Sequence, residues 1–151
     1  MHLRIRTATP GDAGVLAELH VRSAEDAYGE SPSVSERFTS WSGWLMGADA
    51  HSVLIATETR STEVLGFLRY GPARRTDVAP LEVSILHVHP QHRGRGVGTA
   101  LWHALLATAP RTAFYAETVV TLRCCGFYRQ HGGCGVPLGD DRIAFVFASG
   151  G

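Results

Sequence analysis

The chain has 151 residues, 44% hydrophobic and 19% charged, which suits one packed core and excludes a disordered chain. Fourteen cations balance fourteen acids, so net charge does not recruit this protein to nucleic acid or to an anionic membrane. All fourteen cations are arginine; lysine and asparagine are both absent, as a GC-rich genome would produce.

The balance hides an asymmetry. Residues up to Glu63 sum to −4 and those from Val64 onward to +4, and 83–116 holds Arg93, Arg95, Arg111 and four histidines with no acid. The first residues lack the apolar run of an export signal, and no stretch has the ~20 apolar residues of a membrane span. A cytoplasmic protein with reduced thiols is therefore expected. Cys124, Cys125 and Cys134, with His131, match no zinc spacing, so no metal is expected and the cysteines read as small buried apolar groups.

In chain order, 3–6 reads as a first strand. Thr9 then caps a helix, with Pro10 at its first position and Asp12 completing a capping box. Val15, Leu16 and Leu19 form that helix's apolar side. After a polar turn, Val34, Phe38, Trp41 and Leu45 repeat at helical spacing and predict a core-facing helix over 34–46. Strands follow at 52–57, 64–70 and 81–88, the last two separated by a polar loop at 71–80. Pro90 ends the third of these. A glycine-rich turn at 93–98 leads into a helix over 99–109 with Leu101, Trp102, Leu105 and Leu106 as its core face. A strand at 113–116, a weak helix around 122–131 and a last hairpin with its clear strand at 143–147 complete one domain. The order β-α-α-β-β-β-α-β-α-β-β indicates an α/β fold of the α+β type, a single mixed sheet flanked by helices.

The turn is the most informative segment. A strand, glycines alternating with charge and a helix start make an anion site, because glycine lets backbone N–H groups approach a phosphate and the helix end adds unpaired donors. A P-loop needs lysine, which is absent. The dinucleotide fingerprint needs a third glycine where Thr99 stands. A purely structural turn is the remaining alternative.

The run Arg93-Gly94-Arg95-Gly96-Val97-Gly98 matches the acetyl-coenzyme A signature of the GNAT superfamily of N-acetyltransferases, which the chain resembles. The strand Glu82 to His89 is similar to that family's fourth strand, and Phe127-Tyr128-Arg129-Gln130-His131-Gly132 to its Phe-Tyr-x-x-x-Gly segment. The resemblance implies a mostly antiparallel sheet with strands 4 and 5 splayed apart. It implies that the backbone of Leu86, His87 and Val88 holds pantetheine and that the Leu86 N–H faces the thioester oxygen. It implies that Arg93, Gly94, Arg95, Gly96, Val97, Gly98 and Thr99 cradle the pyrophosphate. Glu82 stands where relatives keep a general base, Tyr128 where they keep a general acid, and Glu117 is the rival base. Two positions depart from the family pattern: Thr121 replaces the usual asparagine, and Gly133 an aromatic residue.

His87 and His89 alternate with apolar residues and read as spectators at the edge of the bulge. The expected activity is acetyl transfer from acetyl-coenzyme A to a primary amine, with a silent acyl-coenzyme A-binding module as the alternative. The acidic residues Glu25, Asp26, Glu30 and Glu36 suggest a cationic acceptor, a small molecule or peptide. Homodimers are common among relatives.

Overall fold

The computed structural model describes residues 2–29, 31–47, 50–108, 111–120, 122 and 124–148. Seven strands form one sheet in the order β1-β2-β3-β4-β5-β7-β6: β1 Leu3–Thr7, β2 Ser52–Glu58, β3 Val64–Pro72, β4 Leu81–Val88, β5 Phe114–Val119, β6 Cys134–Gly139 and β7 Arg142–Phe147. Helices α1 Ala13–Tyr28, α2 Val34–Leu45, α3 Val97–Thr108 and α4 Cys124–Gln130 connect them. The pair β4–β5 is parallel, whereas β1–β2, β5–β7 and β6–β7 are antiparallel. Registered pairing between β4 and β5 stops at Val83 and Ala116, although β4 runs on to Val88 and β5 to Val119. The mixed α+β sheet expected from the element order is therefore present. The chain divides into two compact units, Met1–Arg69 with Ile85–Thr108 and Tyr70–Ser84 with Ala109–Gly151.

In the first unit, Asp12 accepts from the Thr9 N–H (2.7 Å) and takes both amino groups of Arg6 (2.8 Å each), which anchors the entry to α1. Helix α1 ends at Gly29, whose φ of +79° lets its N–H return to the Glu25 carbonyl. The core joins Leu16, Ala17 and Leu19 of α1, Trp41 of α2, and Val53, Ile55, Val64 and Phe67 of the sheet. Each large side chain buried there contributes roughly 1.5–3 kcal/mol.

Three predicted faces are corrected. Val34 and Phe38 are exposed, and only Trp41 of the expected α2 stripe is fully buried. The inward face of α2 instead runs through Arg37, Trp41 and Trp44, because the two indoles (5.0 Å apart) bury more surface than a valine and a phenylalanine. Val15 of α1 and Leu106 of α3 are likewise exposed, displaced from the core by Ala13 and Ala17 and by Val97.

Gly66 and Phe67 alternate on β3, so α1 and α3 cover opposite faces of that strand. A Cβ at Gly66 would lie 2.8 Å from the His87 carbonyl and 3.0 Å from Val97 Cγ1. We expect Gly66→Val to destabilise the protein by about 2–3 kcal/mol, read as a lower denaturant midpoint at constant slope.

In the second unit, Ala79, Tyr115 and Ala144 form a small core on one face of the sheet. Helix α4 packs on the other, Tyr128 lying 5.5 Å from Phe145 and 6.4 Å from Phe147. Helix α4 has seven residues, short as its composition predicts. Gly133 has a steric reason: a Cβ there would meet Phe147 Cζ at 2.8 Å and the Tyr128 carbonyl at 2.9 Å. Thr121 lies outside the described residues. Cys125 is buried as expected, but Cys124 is half-buried and Cys134 is exposed on β6. The three thiols are free.

Candidate functional site

The turn belongs to the first unit. After Val88 a short helical turn at Pro90–His92 reverses the chain, and α3 begins at Val97, two residues earlier than predicted. Gly94 and Gly96 have φ of +75° and +82°, left-handed values that side chains resist. A Cβ at either glycine would meet no protein atom within 4 Å. Packing therefore does not demand glycine at these positions. Backbone conformation does, and it leaves an open main-chain surface at the start of a twelve-residue helix. The N–H groups of Val97, Gly98 and Thr99, in the first turn of α3, have no acceptor within the helix. Arg95 is exposed beside them, while Arg93 is ion-paired with Asp26 of α1. Arg93 thus braces the turn against α1 as well as lending it charge.

His89 and His87 both have side-chain partners within the first unit. His89 is buried, and its Nε2 accepts from Arg22 at 2.7 Å. His87 packs on Phe67 (5.6 Å between ring centroids) and on His20 (5.3 Å). His20 in turn accepts at Nδ1 from the Trp41 indole N–H (3.2 Å), which requires the neutral imidazole protonated at Nε2. Burial pushes His20 down to about 3 and His87 to about 4, and nearby arginines add to both shifts. Unfolding raises both toward 6.5, so the unfolded chain takes up protons first as pH falls. Stability should hold above pH ~7 and decline below ~6.5, by roughly 1–2 kcal/mol per histidine at pH 5. Melting temperatures from pH 7.5 to 4.5 check this, and His87→Leu should flatten the slope.

The acid and base candidates lie in the second unit. Glu82 is 2% exposed and accepts from Arg74 Nε at 3.1 and 3.3 Å. It is in register with Tyr115, whose phenol is pushed up by burial and accepts from the Arg75 N–H at 2.9 Å. Glu117 shares that face, two residues along β5, and is held by Arg75 Nε (2.6 Å) and Arg142. Burial opposes its charge, but those two donors outweigh burial and keep its carboxyl below the usual range. Two neighbouring arginines of one loop thus engage both carboxylates, and composition alone had left that loop without a role.

Tyr128 lies on the opposite face. Its ring partners Phe145 and Phe147 are in register with Ala116 and Phe114, which alternate with Tyr115 and Glu117. The structure therefore brings Glu82 and Glu117 together and separates both from Tyr128. Among the described residues, no group of three or more His, Cys, Asp or Glu could hold a metal ion, and no helix is long and apolar enough to cross a membrane.

Comparison with known proteins agrees with this architecture. A structure of an acetyltransferase from Thermus thermophilus superposes with a TM-score of 0.77 at 19% identity, covering 97% of each chain. The paia N-acetyltransferase from Thermoplasma acidophilum, in complex with coenzyme A, gives 0.76 at 16% identity over 98% of this chain and 99% of the other. Salmonella typhimurium yncA, with its cofactor acetyl-CoA, gives 0.68 at 18% identity over 97% and 92%. These likenesses establish the fold. The family model for the acetyltransferase (GNAT) family matches residues 16–132, from α1 through the turn to the end of the Phe-Tyr segment, and the chain belongs to that family.

Proposed function

We propose that the protein transfers an acetyl group from acetyl-coenzyme A to a primary amine by direct attack, with both substrates bound. The observation that carries this reading is the open, left-handed turn at Gly94 and Gly96 ahead of α3. Its converging N–H groups suit a pyrophosphate, and relatives of the same fold were solved with coenzyme A or acetyl-CoA. When bound, acetyl-coenzyme A supplies the acetyl group as an activated thioester.

The chain's own groups have the following roles in this proposal. Residues 93–99 hold the pyrophosphate through backbone N–H groups, with Arg95 adding charge. The backbone of Leu86, His87 and Val88 lies beyond the last registered β4–β5 pair and in this proposal hydrogen-bonds the extended pantetheine arm. The Leu86 N–H is the donor for negative charge developing on the acyl oxygen. Glu82 takes the proton of the attacking ammonium, and Tyr128 gives one to the departing thiolate. Their placement on opposite faces of the sheet keeps the accepting and donating groups from exchanging that proton with each other. Free thiols at Cys124, Cys125 and Cys134 suit a reducing cytoplasm.

Thiol release from acetyl-coenzyme A across polyamines, aminoglycosides, amino acids and peptide N-termini tests the proposal. Turnover on at least one class is expected. Tight coenzyme A binding without turnover on any acceptor would make the protein a binding module instead. On the acceptor that works best, Glu82→Gln should lower kcat by about 100-fold and Glu117→Gln by less than about 10-fold. The reverse order would assign the base to Glu117.

A further inference from the structure

The inward face of α2 and the adjoining strands of the first unit gather a cluster of cationic and aromatic side chains to which the transfer reaction, as proposed, gives no role. Its rings pack on one another: Trp41 lies 5.1 Å from Phe67 and 5.0 Å from Trp44, and the Arg69 guanidinium stacks 4.1 Å over the Trp44 ring. Arg37 stands one helical turn before Trp41 on the same side of α2. Its Nε is buried with no hydrogen-bond partner among the described residues, and none of their carboxylates is ion-paired with it. Its charge reaches His20 and His87, whose ionisation it opposes. His20 presents an Nε2–H, since its Nδ1 is occupied by Trp41. The ring nitrogens of His87 meet no hydrogen-bonding group among the described residues.

A buried guanidinium Nε with no acceptor is costly unless an anion completes it. Among the described residues, no acid of the first half of the chain does so. Asp26 is committed to Arg93, and Glu25 and Glu36 are exposed. Glu30 lies outside the described residues. A planar guanidinium fork whose charge reaches two imidazoles matches the shape and single charge of a carboxylate.

We infer that this cluster binds the carboxylate of the acceptor, so that the amine acetylated is that of an amino acid or similar amino-carboxylate with an apolar side chain. Arg37 grips the carboxylate, His20 and His87 supply neutral donors, and Phe67, Trp41 and Trp44 receive the apolar part. His87 directly follows Leu86, the proposed donor to the acyl oxygen, and successive strand residues are only ~3.3 Å apart. An amine one carbon from its carboxylate fits that spacing. The inference names the acceptor class of the proposed transferase and rests on that reading.

The test compares leucine with leucinamide and isoamylamine in thiol release by the full chain. Leucine should have at least about tenfold higher kcat/KM than either, and Arg37→Gln should erase that preference while coenzyme A binding persists. The less basic amine of leucinamide is more often neutral, so amine reactivity cannot produce a preference for leucine over leucinamide, and that comparison is the decisive one. Equal kcat/KM within the set, or a preference unchanged in Arg37→Gln, would overturn the inference and leave the transferase reading standing. If no acceptor turns over, the transferase reading falls and tryptophan fluorescence decides whether the cluster binds a carboxylate. Quenching by N-acetyl-leucine but not by N-acetyl-leucinamide, lost in Arg37→Gln, supports a carboxylate site. Equal responses, or stronger quenching by inorganic phosphate, would overturn it.

Discussion

A Gly96→Val variant is expected to lose coenzyme A affinity by at least about 100-fold while remaining folded. At φ +82° a β-branched residue is strained by roughly 1–2 kcal/mol, a cost that lowers the melting temperature by several degrees. The added Cβ meets no protein atom within 4 Å, so no packing defect adds to that cost. The new side chain instead occupies the open main-chain surface over which the α3 N–H groups converge. Phosphate oxygens must approach those donors to about 2.9 Å, and a valine there holds them away. Isothermal titration with coenzyme A reads the affinity, and circular dichroism reads the fold. Full affinity in the folded variant would refute the phosphate turn. Gly94→Val, with φ +75° and the same open surroundings, is a second, independent reading of the same surface.

Tyr128→Phe should lower kcat by about 100-fold or more and change coenzyme A affinity by less than about threefold. The ring is 6% exposed and packed against Phe127, Phe145 and Phe147, contacts that phenylalanine keeps. Only the hydroxyl is lost. Fold, cofactor turn and the opposite-face carboxylates should therefore be unaffected, so a fall in kcat would report proton delivery to the leaving group. Alternative thioesters provide the control. A donor whose thiol is more acidic needs less protonation, and the variant should recover much of its rate on it. An unchanged kcat would remove Tyr128 as the acid.

The sequence was most legible where chemistry constrains the backbone. Gly94 and Gly96 are recognisable because almost no other residue adopts their conformation ahead of a helix, and the element order followed from periodicity and from breakers such as Pro90. Helix faces were less legible. Val34, Phe38, Trp41 and Leu45 repeat at helical spacing, yet α2 turns Arg37 inward and Phe38 outward. A period marks a stripe but does not rank competing stripes, and the ranking came from how much surface Trp41 and Trp44 bury together.

Pairing between charges was not legible at all. Arg74, Arg75 and Arg142 meet Glu82 and Glu117 across as many as 42 positions, and Asp26 meets Arg93 across 67. The even net charge conveyed none of this, since an ion pair depends on where two chain segments are brought side by side. By itself the sequence determined the element order, the glycine turn ahead of α3 and the family resemblance, because these rest on local backbone rules and on a contiguous motif. Only the tertiary structure decided that Glu82 and Glu117 share a face away from Tyr128, that Arg93 is braced by α1, that the Arg37 Nε is buried, and that His20 and His87 pack together on Phe67. Strand register and helix rotation set those relations, and both are fixed by packing summed over many residues.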